Sequence, residues 1–207
     1  MKTILFQGDS ITDVNRSRNN DNERGLGYPH LVSARLGLDN PEEYNFINRG
    51  ISGNRIVDLY ARIKCDITNL QPDYLSILIG INDVWHELGG QNGVSAEKFE
   101  RIYSMLIEEV LEACPDIRII LMEPFVLPGP ATVEYWEYFE KETKLRAEAV
   151  KRLAEKYELA FLPLQKLLDD ACEKAPAGYW LADGVHPTAF GHELIAREWC
   201  KKFDAII

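Results

Sequence analysis

The most constraining feature of this sequence is an alternation. Short runs rich in β-branched and aromatic residues are separated by longer stretches with helical periodicity. Thr3–Phe6, Tyr44–Ile47, Tyr74–Ile79, Arg118–Met122 and Ala160–Leu162 read as strands. Tyr28–Leu38, Ile56–Leu70, Ser95–Ala113, Glu134–Tyr157, Leu164–Glu173 and Thr188–Phe203 read as helices, with Ser95 as an N-cap and Pro115 just beyond a helix end. Strand–helix alternation requires right-handed crossovers, which build a parallel sheet covered on both faces. Leu75–Ile79 and Ile117–Leu121 are apolar almost throughout, as strands buried on both faces should be. The expectation is an α/β fold on a five-stranded parallel sheet.

At 207 residues with 46% hydrophobic content, the chain can bury a full core, and residues 1–207 read as one domain. No apolar run approaches the roughly 20 residues needed to cross a bilayer. Ile4-Leu5-Phe6 is too short an apolar region for a secretory signal, so the expected location is the cytoplasm. A net charge of -10 opposes nucleic-acid binding, because phosphate affinity comes from clustered Lys and Arg releasing counterions. The substrate expected is small and not polyanionic. Cys65, Cys114, Cys172 and Cys200 form no Cys-x-x-Cys pair and read as reduced, structural thiols. No His-Glu-x-x-His or other metal-ligand spacing occurs, so no catalytic metal is expected.

In a parallel sheet, ligands bind beyond the carboxyl ends of the strands. Polar, glycine-containing segments follow each of the first three strands: Gln7–Ser10, Asn48–Gly50 and Gly80–Asp83. The Pro124–Pro130 loop is a candidate rim. A serine hydroxyl needs a base within hydrogen-bond reach, itself oriented by a carboxylate, before it attacks an acyl carbon. Ser10 stands where a strand ends, and His186 lies on the punctuated loop Asp183-Gly184-Val185-His186-Pro187. Asp183, three residues upstream, is near enough for a turn to fold its carboxylate onto the imidazole. The backbone N–H groups of Ser10 and Gly50 and the side-chain amide of Asn82 are candidate donors to the oxyanion.

These segments resemble the four blocks of the SGNH (GDSL-like) hydrolases: Gly8-Asp9-Ser10-Ile11-Thr12, Gly50, Gly80-x-Asn82-Asp83 and Asp183-x-x-His186, in the family's order. The resemblance runs from Ile4 to about Arg197. It implies a flavodoxin-like three-layer α/β/α sandwich that hydrolyses esters without metal or organic cofactor. Asn48–Asn54, Ile79–Trp85 and Val185-His186-Pro187 further resemble the intracellular acetylxylan esterases. That similarity implies removal of acetyl groups from xylo-oligosaccharides, and homo-oligomers, which are frequent in that branch. Related SGNH enzymes act on other acetylated sugars, aryl esters and lysolipids.

Each assignment has a plainer rival. Ser10 can be only a helix N-cap, Gly50 a turn glycine, Asn82 a cap and Asp183-Gly184 a solvated turn. Asp9 reads as a loop organiser, and His30 and His192 as helix residues without chemistry. His86, four residues after Asn82, either borders the site or does not. Trp85, Tyr179 and Trp180 can stack against sugar rings or pack in the core. Arg55 can meet a sugar hydroxyl or form a surface ion pair. Glu148 and Arg152 have the spacing of a helical ion pair. Tyr135, Trp136, Tyr138 and Phe139 mark a pocket rim, a subunit contact or helix–sheet packing. At the level of function, a short-chain carboxylesterase or lysophospholipase-like hydrolase uses the same machinery. A non-catalytic carbohydrate-binding module on this fold is the alternative from another class, while a flavin carrier is disfavoured because the first loop lacks a phosphate nest.

Overall fold

All five expected strands pair in a computed structural model that describes residues 1–207. They are β1 (Lys2–Gly8), β2 (Tyr44–Asn48), β3 (Tyr74–Leu78), β4 (Arg118–Met122) and β5 (Ala160–Leu162), all parallel, in the order β2-β1-β3-β4-β5. This is the flavodoxin-like order, and the chain switches direction across the sheet between β1 and β3. The crevice beyond their carboxyl ends is therefore where the fold itself prepares a site.

The helices are α1 (Ser10–Asp13), α2 (Tyr28–Asp39), α3 (Ile56–Ala61), α4 (Ile63–Asp66), α5 (Ile81–Gly90), α6 (Ala96–Ala113), α7 (Trp136–Lys156), α8 (Gln165–Cys172), α9 (Ala177–Trp180) and α10 (Ala189–Asp204). Strand side chains alternate between faces, so each strand feeds two cores. Ile4, Phe6, Tyr74, Leu78, Ile120 and Met122 pack with α2, α8 and α10. Leu5, Leu75, Ile77, Ile119 and Leu121 pack with α3, α6 and α7. The result is a three-layer α/β/α sandwich. Ser76, the polar residue among these inward positions, accepts the indole N–H of the fully buried Trp199 at 2.9 Å, so no donor is left stranded there.

Three local expectations change. The segment Ile56–Leu70 is not one helix: Arg62 leaves helical geometry (φ -113°, ψ 15°) and separates α3 from α4. Its guanidinium reaches Asn54 Oδ1 at 2.8 Å, Arg49 O at 2.9 Å and Asp66 Oδ2 at 2.7 Å, bonds that tie this break to the loop after β2. Residues beyond Gly80, read as a loop, instead form α5 directly after β3. Arg152 does not pair with Glu148; its Nε and Nη2 bind Glu100 of α6 at 3.1 and 2.6 Å, joining two helices. Ser95 does cap α6, accepting the N–H of Lys98 at 3.4 Å. All four cysteines are free thiols, and no helix is long and apolar enough to cross a membrane.

Candidate active site

At the end of β1 the chain turns sharply into α1, whose N-cap is Asp9, its carboxylate accepting the Ile11 N–H at 2.9 Å. Ser10 is thus the first residue of the helix rather than its cap, and its own N–H has no acceptor within the protein. On the last loop, Asp183 Oδ1 accepts the backbone N–H groups of Val185 and His186 at 2.9 and 2.8 Å, closing the turn that sequence spacing suggested. The other oxygen, Oδ2, lies 2.7 Å from His186 Nδ1. His186 Nε2 lies 2.9 Å from Ser10 Oγ, across 176 residues of chain. With the Nδ1 proton directed at Asp183, the Nε2 lone pair faces the hydroxyl, the tautomer a general base needs.

Burial pushes the Asp183 pKa upward, but hydrogen bonds from the His186 backbone, the imidazole and Val185 outweigh it and hold the carboxyl below its usual value. The turn is braced from behind. Leu127 N–H donates to Gly184 O and Ala131 N–H to Asp183 O, both at 2.9 Å. The Pro124–Pro130 loop, expected as a rim, is therefore a buttress for the Asp183 turn and does not line the cavity in front of Ser10.

That cavity is about 710 Å³ and contains Ser10, His186, Asn82, Trp85 and His86. Asn82 Nδ2 donates one hydrogen to Asn54 O at 3.0 Å, which fixes the amide and leaves its second hydrogen for a ligand. Trp85 packs edge-on against Phe139 (5.9 Å between ring centroids) and lies 6.0 Å from the His186 ring. His86 borders the cavity.

Other expected site residues are not brought here. The Gly50 N–H is already donated to Asn48 Oδ1 at 2.9 Å, and Gly50 is buried against Asp13, whose backbone N would lie 2.5 Å from a Cβ at this position. Three residues on, Gly53 does line the cavity; its φ of +80° suits glycine and its N–H has no acceptor within the protein. Gly53, which sequence reasoning missed, is the glycine of this loop that the structure brings to the cavity, and Gly50 is not. Arg55 grips Asp58 through Nε and Nη2 at 2.9 and 3.1 Å and donates to Asn92 O, so it organises the start of α3 instead of facing a ligand. Tyr179 stacks on Phe190 at 4.3 Å outside the cavity, and the Trp180 indole donates to Ala175 O at 3.2 Å. Of the aromatic cluster at the start of α7, Phe139 is fully buried, Tyr135 is exposed, and neither they nor Trp136 and Tyr138 reach the cavity.

Two carboxyls behind the site are buried. Asp9 is 1% exposed, its Oδ2 has no hydrogen-bond partner, and burial raises its pKa to about 7 against the lowering by the Ile11 N–H and the His186 charge. Asp83, fully buried, accepts the Ile56 N–H with both oxygens at 3.1 and 3.2 Å, joining α3 to α5, and burial raises its pKa well above the ordinary carboxyl value.

The GDSL-like lipase/acylhydrolase family model matches residues 6–194. The sequence is 32% identical over 209 residues to an acetylxylan esterase from Geobacillus stearothermophilus, covering 96% of this chain and 92% of that one. The crystal structure of that enzyme superposes with a TM-score of 0.87 at 31% identity, over 97% of this chain and 93% of the other. Its catalytic mutants replace a serine, an aspartate and a histidine, the last two lying three residues apart. An alpha/beta hydrolase from the metagenome of Lake Arreo superposes with a TM-score of 0.88 at 26% identity, over 100% and 96% of the two chains.

Proposed function

Because the chain belongs to the GDSL-like lipase/acylhydrolase family and is a carboxylic ester hydrolase, we propose that it removes acetyl groups from acetylated carbohydrates, xylo-oligosaccharides first, through a Ser10–His186–Asp183 relay. The observation that carries this reading is the relay's setting: Ser10 Oγ, 2.9 Å from its base, opens into a cavity lined by no aliphatic Leu, Ile, Val or Met side chain. Trp85 is the one large apolar side chain on its wall, so a fatty acyl chain would find no aliphatic groove to bury in, whereas a short acyl group on a hydroxylated alcohol needs none. The acetylxylan esterase similarity and the serine, aspartate and histidine of its catalytic mutants support the same assignment.

In this mechanism His186 Nε2 takes the Ser10 proton as Oγ attacks the acetyl carbonyl carbon. The developing oxyanion receives the N–H groups of Ser10 and Gly53 and the free Nδ2–H of Asn82. Collapse expels the sugar oxygen, which takes the proton from His186. Water, deprotonated by the same nitrogen, then cleaves the acetyl-serine and releases acetate. Asp183 keeps the ring in one tautomer and stabilises the imidazolium between steps. In this proposal residues 1–207 act as one domain, work in the cytoplasm on imported oligosaccharides and assemble with copies of the same chain.

The test is acetate release from acetylated xylobiose by wild type and by Ser10→Ala, with folding of both followed by circular dichroism. Turnover abolished by the substitution in a folded protein is expected. Equal turnover in both removes Ser10 from the nucleophile's role. Cleavage of long-chain acyl esters in preference to acetyl esters would refute the deacetylase.

A further inference from the structure

One face of α5 carries Asn82, Trp85, His86 and Gly89, spaced i, i+3, i+4 and i+7, and all four line the catalytic cavity together with Gly90. At 1.5 Å rise per residue, His86 lies about 6 Å and Gly89 about 10 Å along the axis from Asn82. Exposure rises in the same direction, from buried Asn82 through half-buried Trp85 and His86 to open Gly89 and Gly90. The helix therefore runs from the oxyanion donor to the mouth of the cavity.

The His86 imidazole makes no hydrogen bond within the protein. Burial, then the nearby Arg55 guanidinium, lowers its pKa, with Asp58 opposing, so at neutral pH the ring offers one N–H and one lone pair. A sugar hydroxyl, both donor and acceptor, matches either. Gly89 and Gly90 are not required by packing, since a Cβ at either meets nothing within 4 Å. Both weaken the helix relative to alanine, and both border the cavity.

We propose that α5 is the binding track for the alcohol part of the ester, with His86 hydrogen-bonding a hydroxyl of the ring that bears the acetyl group and Gly89-Gly90 leaving room for the next sugar unit. This rests on the sugar-deacetylase reading above. It assigns His86 to alcohol recognition and the glycine pair to the length of alcohol accepted.

Hydrolysis of ethyl acetate, an acetylated methyl xyloside and acetylated xylobiose by wild type, His86→Ala, His86→Gln and Gly89→Leu tests it, with melting temperatures recorded for all. His86→Ala should lose about tenfold in kcat/KM on both sugar esters, mostly through KM, and stay near wild type on ethyl acetate, as one lost neutral hydrogen bond predicts. His86→Gln, which keeps a donor and an acceptor, should recover part of the loss. Gly89→Leu, whose Cβ enters open space, should impair the disaccharide ester alone. Equal losses on all three substrates, or a Gly89→Leu enzyme with unchanged disaccharide kinetics, would overturn the inference while sugar deacetylation stands. Wild-type turnover of ethyl acetate but of neither sugar ester would bring down the deacetylase reading and this inference with it.

Discussion

His192 gives the most direct test of how burial sets this protein's response to acid. It lies in α10 at 4% exposure, and its Nδ1 accepts the Tyr28 N–H at 3.2 Å. Burial, and secondarily the charge of the nearby His186, lowers its pKa from 6.5 to about 4. The folded protein thus resists a proton that the unfolded chain accepts, so stability is present above pH 6.5 and is lost as pH falls toward 4. At about pH 4.5 the unfolded imidazole is almost fully protonated and the folded one mostly is not, a difference of roughly 2–3 kcal/mol. For a chain of this length that is roughly 5–10 °C in Tm. His192→Asn places an amide oxygen near the position of Nδ1, keeping an acceptor for Tyr28 without a group that titrates. Urea unfolding at about pH 7.5 and 4.5 should show wild type losing that much more stability than the variant. Asp9 acts in the opposite sense over part of the range, but it is common to both proteins and cancels in the comparison. Equal acid-induced losses in the two would refute the assignment of a buried, neutral His192.

If Asn82 is an oxyanion donor as proposed, Asn82→Ala should lower kcat by about 10²–10³ with little change in KM, measured on any acetyl ester the enzyme turns over. An unchanged kcat would remove Asn82 from the transition state. Asp9→Asn keeps the acceptor for Ile11 and deletes the titration that burial holds at about pH 7. The raised folded pKa means wild type loses stability as pH climbs from about 4 through 7, so the variant should be the more stable protein at pH 8–9 by up to roughly 4 kcal/mol, with this component gone below pH 4. Parallel pH–stability curves for the two would show that Asp9 is ionised in the folded state throughout.

The parts of the molecule legible in the sequence are those fixed by local periodicity or by short-range turns. Five apolar runs became five strands because alternating side chains feed two cores, a pattern visible residue by residue. The Asp183–His186 pairing was legible because a turn of three residues closes it. Helix α5 was hidden. Its buried residues Ile81–Val84 sit at its start, while Gly89 and Gly90 at its end read as punctuation, and the Gly80–Asp83 segment looked like another loop beyond a strand. Proximity along the chain also misled. Tyr179 and Trp180 lie within eight residues of His186, yet the Leu181–Pro187 bridge folds the chain back between them and leaves the Tyr179 ring against Phe190 instead of in the cavity.

Gly50 and Gly53 show what kind of information is missing from a sequence of this type. Both stand in the segment after β2 and both are glycines at a turn, yet sequence reasoning assigned the oxyanion donor to Gly50 alone. What separates them is where their N–H groups go, and that depends on distant partners. Asn48 reaches forward to take the Gly50 N–H while its amide donates to Thr12 O at 2.7 Å and Arg24 O at 2.9 Å, so Gly50 is locked into the α1 side of the loop. Arg16 and Arg18 then occupy the Gly50 carbonyl at 2.7 and 2.9 Å. With both backbone groups of Gly50 committed, the turn that follows carries Gly53 into the cavity with its N–H unclaimed. A donor already satisfied in the resting protein gains little by turning to an oxyanion, because it exchanges one hydrogen bond for another. A donor without a protein partner gives up only water to a bound ester, and because the fold already holds it in place it needs no rearrangement as charge develops on the oxygen. In the mechanism proposed above the oxyanion donors are accordingly N–H groups that the fold leaves unmatched and holds beside Ser10 Oγ: those of Ser10 and Gly53 and the second hydrogen of Asn82.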